Sequence, residues 1–447
     1  MSPLQSQQPH PPARSGRVPQ AKPHRDVVHA RARVSQSYWI GLAVALTLAV
    51  PSGLAVMRRP SGGGALVRAV PVGRGPDAVA IDERTDRVFV ANGDDGTVSM
   101  LDAHSGAPLR TIAVGRDPDA LAVDAQTQRV FAVNGNFAGR GSVSVLDART
   151  GDLLRSVAVG DSPWAVAVDE RTARAFVANS ASGSVSMLDA RSGRLLRTVA
   201  VGLSPVAVAV EAPAHQVVVV NAGDFERKVA GTVSVLDAWT GALVRAVPVG
   251  LAPSAVAVDS RRGRVIVANA LSDSLSVLEA GGATPPRTIA VGPDPNALAV
   301  DAASGQVVVV TGGDGRMRVV DARRGTIRQT IPVGPPAQAL VDDVRGAVIV
   351  EGRRALLARG RDARVQVLDL PSGTVRRTIP VGPHPVAAAL DRQTERAFII
   401  SAGGAAPQQS PWWTKAPPPL RRWLSWLALH PPASALGSVA VLDAGQV

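Results

Sequence analysis

The side chains that could do chemistry recur at fixed intervals. Acids follow one strand-like run in every repeat: Asp82, Asp124, Asp169, Glu211, Asp259, Asp301, Asp343 and Asp391. A second set closes another run: Asp102, Asp147, Asp189, Asp237, Glu279, Asp321, Asp369 and Asp443. Carboxylates so placed accept hydrogen bonds from nearby backbone N–H groups and shape turns. Catalysis needs a singular place rather than an eightfold one, so repetition assigns both sets to structure. Asn92, Asn134, Asn179, Asn221 and Asn269 end a third run, where the last three repeats place Thr311, Glu351 and Ser401. Asparagine tolerates left-handed backbone and caps turns. The asymmetry also nominates these five as lining a one-sided ligand pocket, with His384 of Val-Gly-Pro-His-Pro beside them. A lone histidine needs partners before it can act as acid, base or ligand.

No catalytic residue, metal site or cofactor is assigned. His-Glu-x-x-His, Gly-x-Ser-x-Gly, the Walker loop and the dinucleotide fingerprint are all missing from the sequence. So is an Asp-x-Asp-x-Asp-Gly calcium loop. The chain has no cysteine, which removes disulfides, thiolate nucleophiles and sulfur-built zinc sites.

The elements carrying these residues come from one repeat. Val-Gly closes a strand-like run at Gly73, Gly115, Gly160, Gly202, Gly250, Gly292, Gly334 and Gly382, spaced by 42, 45, 42, 48, 42, 42 and 48 residues. A period of roughly 40–45 residues holding four short strands is the signature of a propeller blade. In the third repeat, strand A is Ala165–Asp169, B Ala173–Asn179, C Ser184–Asp189 and D Leu195–Val201. Strand A is apolar at nearly every position, as suits a strand buried near the ring axis. Strand D carries Arg197, and the same slot holds Arg68, Arg110, Arg155, Arg245, Arg287 and Arg377. Charge on an outermost strand discourages edge-to-edge pairing. The eighth repeat ends at Val447 without a strand D, while an unpaired copy, Leu66–Val72, stands at the front. The expected fold is therefore an all-β propeller of eight four-stranded blades closed by the N-terminal strand, with seven blades plus a degenerate unit as the alternative.

The repeats resemble the YVTN family of β-propeller repeats over residues 66–447. The resemblance rests on Val-Gly-x-x-Pro-x-Ala-Val-Ala-Val-Asp, on Phe89–Asn92, Phe176–Asn179 and Ile266–Asn269, and on Gly-Thr-Val-Ser-Val-Leu-Asp-Ala. It implies an extracytoplasmic or surface-layer propeller, commonly seven-bladed, with no single activity attached. An eighth repeat departs from that pattern.

Residues 1–37 lack any hydrophobic period and read as a disordered basic tail. Tyr38–Met57 is a 20-residue uncharged stretch, long enough for one transmembrane helix. Lys22, Arg25, Arg31 and Arg33 precede it and Arg58 and Arg59 follow, so the positive-inside rule puts residues 66–447 outside the cytoplasm, after a linker at 58–65. Secretion after signal cleavage is the alternative, although its n-region would be unusually long and no clean small-x-small site follows the apolar core. Of the net +12, residues 1–59 carry +7, which leaves too small an excess for nucleic-acid binding by bulk charge.

Length variation gathers in the B–C loops: near Phe137–Arg140 in the second repeat, Phe225–Ala230 in the fourth and Arg353–Arg364 in the seventh, with a Trp/Pro-rich insertion at 405–436 in the eighth. B–C loops share a face with the D–A connections, and insertions confined to one face mark a binding face. Arg353, Arg354, Arg359, Arg361 and Arg364, with Arg421 and Arg422, nominate an anionic envelope or protein partner there. Trp412, Trp413, Trp423 and Trp426 join that set. The resulting expectation is a non-catalytic, membrane-anchored binding or scaffold module using its B–C/D–A face. The alternative is an exported lactonase-like hydrolase with carboxylates, Asn and His around one space at the channel mouth.

Overall fold

The computed structural model describes residues 66–443 apart from 136–139, 225–226, 283, 302, 335–345, 352, 360–362 and 403–435. These residues form eight four-stranded antiparallel sheets, each with its strands in the order A-B-C-D. Tyr38–Met57, its flanks and the tryptophans and arginines of the eighth insertion (Trp412, Trp413, Arg421, Arg422, Trp423 and Trp426) lie outside the described residues. Among the described residues no helix is long and apolar enough to cross a membrane.

Alternating Val and Ala let neighbouring blades pack closely. Every apolar cluster joins two blades, as where Ala165, Ala167 and Phe176 of the third meet Val208, Val210 and Val217 of the fourth. Aromatics are few but well used: Phe89, Phe131, Phe176 and Phe398 are fully buried in strand B. The ring closes as expected. Leu66–Pro71 pairs antiparallel with Ser438–Asp443 as the outer strand of the eighth blade, with Val70 opposite Val439.

The strand-D arginines do more than guard an edge. Arg110 donates to the Thr150 carbonyl at 2.8 Å, Arg197 to Thr240 at 3.2 Å and Arg287 to Arg323 at 2.7 Å. Each acceptor belongs to the C–D turn of the next blade, so the guanidinium staples neighbours together. Gln329 takes this slot in the sixth blade, and its amide reaches Leu370 and Gly373 of the seventh. The acid sets behave as turn formers: Asp169 accepts from Arg171 N–H and Thr172 Oγ1, and Asp189 from Ser192 N–H.

The seventh blade corrects the sequence reading. Its strand A is Gly346–Glu351 and its strand B Arg354–Arg359, paired as a hairpin. Glu351 thus takes the strand-A acid slot expected of Asp343, which lies outside the described residues. Arg359 takes the asparagine slot opposite the start of strand A. The physical reason is competition between two apolar runs: Gly346–Glu351 joined to Arg354–Arg359 by a two-residue turn makes a tight local hairpin.

Candidate binding face

The expected Arg353–Arg364 loop does not exist as one element. Arg353 lies in the A–B turn, on the opposite face, and its carbonyl accepts from Leu370 N–H. Arg354 begins strand B at the same end, Arg359 ends that strand, and Arg364 begins strand C and is exposed. Arg361 lies outside the described residues. Two of the five arginines therefore leave the face assigned to them.

The asparagines serve their own blades. Asn92, Asn179, Asn221 and Asn269 are fully buried and Asn134 nearly so. The Asn92 amide donates to Thr97 and Ser99, both at 3.0 Å. Asn134, Asn179, Asn221 and Asn269 repeat the pattern with paired Ser or Thr hydroxyls on strand C. A Cβ on Gly160 would stand 2.6 Å from Asn179 Cγ, which explains why glycine and asparagine recur together. The asparagines themselves are not left-handed; left-handed residues hold the D–A turns, at Asp117, Ser162, Ser204, Ala252, Asp294 and His384, and also the A–B turns of the opposite face, at Asp86, Gln128, Ala173, His215 and Glu395. His384 (φ 51°) holds that turn, its carbonyl accepting from Ala402 N–H at 3.0 Å.

The singular chemistry sits at an inner rim that the sequence reading missed. In seven blades strand A carries a β-bulge just after its first proline. The bulged residues are Asp77, Asp119, Trp164, Val206, Ser254, Asn296 and Val386, so this slot varies from blade to blade where the rest of the strand repeats. A bulge re-aims its side chain out of the ladder. In the first two blades the re-aimed group is a carboxylate. A Cβ on Gly93 would fall 2.3 Å from Asp77 Oδ2, and one on Gly135 2.2 Å from Asp119 Oδ2, so these glycines make room. The signal was present as Pro-Asp-Ala coupled to Asn-Gly in both repeats.

This part of the rim is acidic. Burial, then the charges of Asp77 and Asp117, push the Asp119 carboxyl well above the usual range. Burial and Asp94 raise Asp117, against Arg116. Asp95 goes the other way: its bond from Arg74 N–H, at 2.8 Å, together with Arg74 Nε, at 2.6 Å, lowers it. A raised carboxyl pKa means the folded state holds the proton more tightly than the unfolded chain. Stability therefore falls as pH rises from about 4, the unfolded carboxyl range, through the folded pKa. Asp119→Asn should remove that loss, raising the melting temperature by about 1–3 °C at neutral pH and leaving it unchanged near pH 4. Paired melts of the variant and the parent across this range check it, and equal curves at neutral pH would refute it.

The grooves lie away from this rim, and one of them, lined by Asp301, Ser304 and Arg353 among others, is on the A–B/C–D face. A groove beside the fifth blade, lined by Gly250, Ser272, Ser274 and Thr288 among others, has no ionisable side chain. Among the described residues no three His, Cys, Asp or Glu side chains are placed to hold a metal ion.

No protein-family model matches the chain, and no curated protein does. Solved propellers do. The hydrazine synthase of Kuenenia stuttgartiensis superposes with a TM-score of 0.51 at 15% identity, over 74% of this chain and 94% of that one. Apo AztD from Citrobacter koseri gives 0.51 at 16% identity, over 70% and 88%. At this identity the likeness carries the fold alone.

Proposed function

We propose that this chain is a membrane-tethered, extracytoplasmic propeller of YVTN type that acts as a non-catalytic binding module through its D–A/B–C face. One observation carries the reading: the two faces are built differently. The A–B/C–D face repeats acid-capped turns and guanidinium staples from blade to blade. The D–A/B–C face holds what is singular, namely the bulged rim with Asp77, Asp119 and Trp164 and the loops of variable length. The tether rests on the apolar length of Tyr38–Met57 and its basic flank. The acidic rim weighs against nucleic acid and, with Arg353 and Arg354 on the other face, shifts the expected partner chemistry away from a purely anionic one. The hydrolase alternative asks for carboxylate, Asn and His around one space; the asparagines instead spend their amides inside the blades.

Photo-crosslinking amino acids at Leu203 and Leu271, both exposed on the D–A/B–C face, test this against Ser105 and Ser192 on the other. Discrete adducts from the first pair alone are expected in cells. Adducts from the second pair alone, or from all four alike, would overturn it.

A further inference from the structure

The outer strands expose aliphatic side chains in an order that scattered surface residues would not show. Strand D opens with Leu153–Leu154 in the second blade, Leu195–Leu196 in the third and Leu243–Val244 in the fourth. All six are exposed, Leu154 to 49% and Leu196 to 47%. Single exposed aliphatics are ordinary, but pairs repeated at one structural position are not. The position is the C–D end of the outermost strand, so the pairs follow one edge of the A–B/C–D face. Trp239, on the turn that leads into Leu243, is 53% exposed at the same end.

We propose that this edge is a lipid-contact surface, resting on the headgroup–acyl boundary of an anionic bilayer; the proposal rests on the tethered reading above. Three observations choose lipid as the occupant. Equivalent positions on successive blades lie along one rim, the form that meets a planar surface rather than a groove-binding peptide. Exposed Arg149, Arg191 and Arg194 stand on the turns between these strands and complement anionic headgroups. The described chain also begins at this end: Leu66–Val67, exposed like the other pairs, opens the outer strand of the eighth blade. Residues 58–65 alone separate it in sequence from Tyr38–Met57 and extend to at most about 30 Å. A tether that short keeps the A–B/C–D face, whose outer edge carries these pairs, and not the opposite face, toward the bilayer. Interfacial contact by Leu and Trp buries side chains roughly 5–10 Å into the headgroup region, with arginines at the polar boundary.

Because the chain has no cysteine, single-cysteine variants report one position each. The full chain would be reconstituted in nanodiscs of mixed phosphatidylcholine and phosphatidylglycerol. Leu154→Cys, Leu196→Cys and, on the opposite face, Leu203→Cys would carry a bimane label, with brominated acyl chains as quencher. The expected result is loss of roughly half the emission at 154 and 196 and none at 203, as shallow insertion of one edge requires. Absence of quenching at 154 and 196 in a chain that co-purifies with the discs overturns the lipid contact while leaving the tether. Equal quenching at all three overturns it too, as does label-to-label self-quenching at 154 without lipid quenching, which would give the edge to a second copy. Failure to co-purify with the discs refutes the tether itself.

Discussion

Deleting residues 66–72 should open the ring and lower the unfolding midpoint by roughly 10 °C or more, with aggregation on heating. The segment is the outer strand of the eighth blade, pairing from Leu66 to Pro71 with Ser438–Asp443. It contributes Val70 and Val72 to a cluster with Val88, Val90, Phe398, Val439 and Val441, which joins the last blade to the first. Burying two valines is worth about 3–6 kcal/mol, before the lost ladder bonds are counted. Whole-domain stabilities are about 5–15 kcal/mol, so the loss is a large share of the total. Appending the same seven residues after Val447 should restore the midpoint, since strand D would again follow strand C as in the other blades. A deletion that melts like the parent and stays monodisperse would show that the ring does not depend on this closure.

The second large effect belongs to the sixth blade. Where five blades use an asparagine bonded to two hydroxyls, this one has Thr311 and Arg318, the latter buried and bonded to Thr311 and Asp314. Gly292 admits the guanidinium: a Cβ there would meet Arg318 Nη2 at 2.7 Å. The Asp314 carboxyl lies below its usual range because bonds from Arg318 and Thr311 outweigh its burial. Arg318→Ser should cost about 3 kcal/mol, as removing one partner strands the other charge in a partly buried site. The double variant Thr311→Asn/Arg318→Ser rebuilds the motif of the first five blades in part and should recover much of the loss. Chemical denaturation of both variants measures this; a single variant as stable as the parent would mean the ion pair holds nothing.

The first five blades and the closure were legible because their information is periodic. A spacing of 42 to 48 residues with Val-Gly at each boundary leaves little freedom in where strands fall, and a strand D at the front needs a partner at the back. The seventh blade was not legible. Ala337–Val341 imitates strand A, and only the hairpin of Gly346–Glu351 with Arg354–Arg359 shows which run is inner. The asparagines were placed correctly but explained by the wrong force, since turn propensity says nothing of a side chain that fills the space above a neighbouring glycine. The inner rim was missed for a related reason: a bulge is invisible in a strand's apolar pattern, so nothing in the repeat singled out Asp77 and Asp119. The arginine staples join residues about 40 positions apart, across a blade boundary that single-repeat reasoning does not cross.

The orientation of the two faces is tested most directly by labelling in spheroplasts expressing the full chain. Cysteine replaces Leu203 on the D–A/B–C face or Ser105 or Ser192 on the A–B/C–D face, all three exposed in the folded propeller. With a membrane-impermeant maleimide, the expected result is rapid labelling at 203 and slow labelling at 105 and 192, equalised once detergent removes the bilayer. Labelling of all three only after the membrane is breached would place the propeller in the cytoplasm, and faster labelling at 105 and 192 than at 203 would mean the binding face has been assigned to the wrong side of the ring.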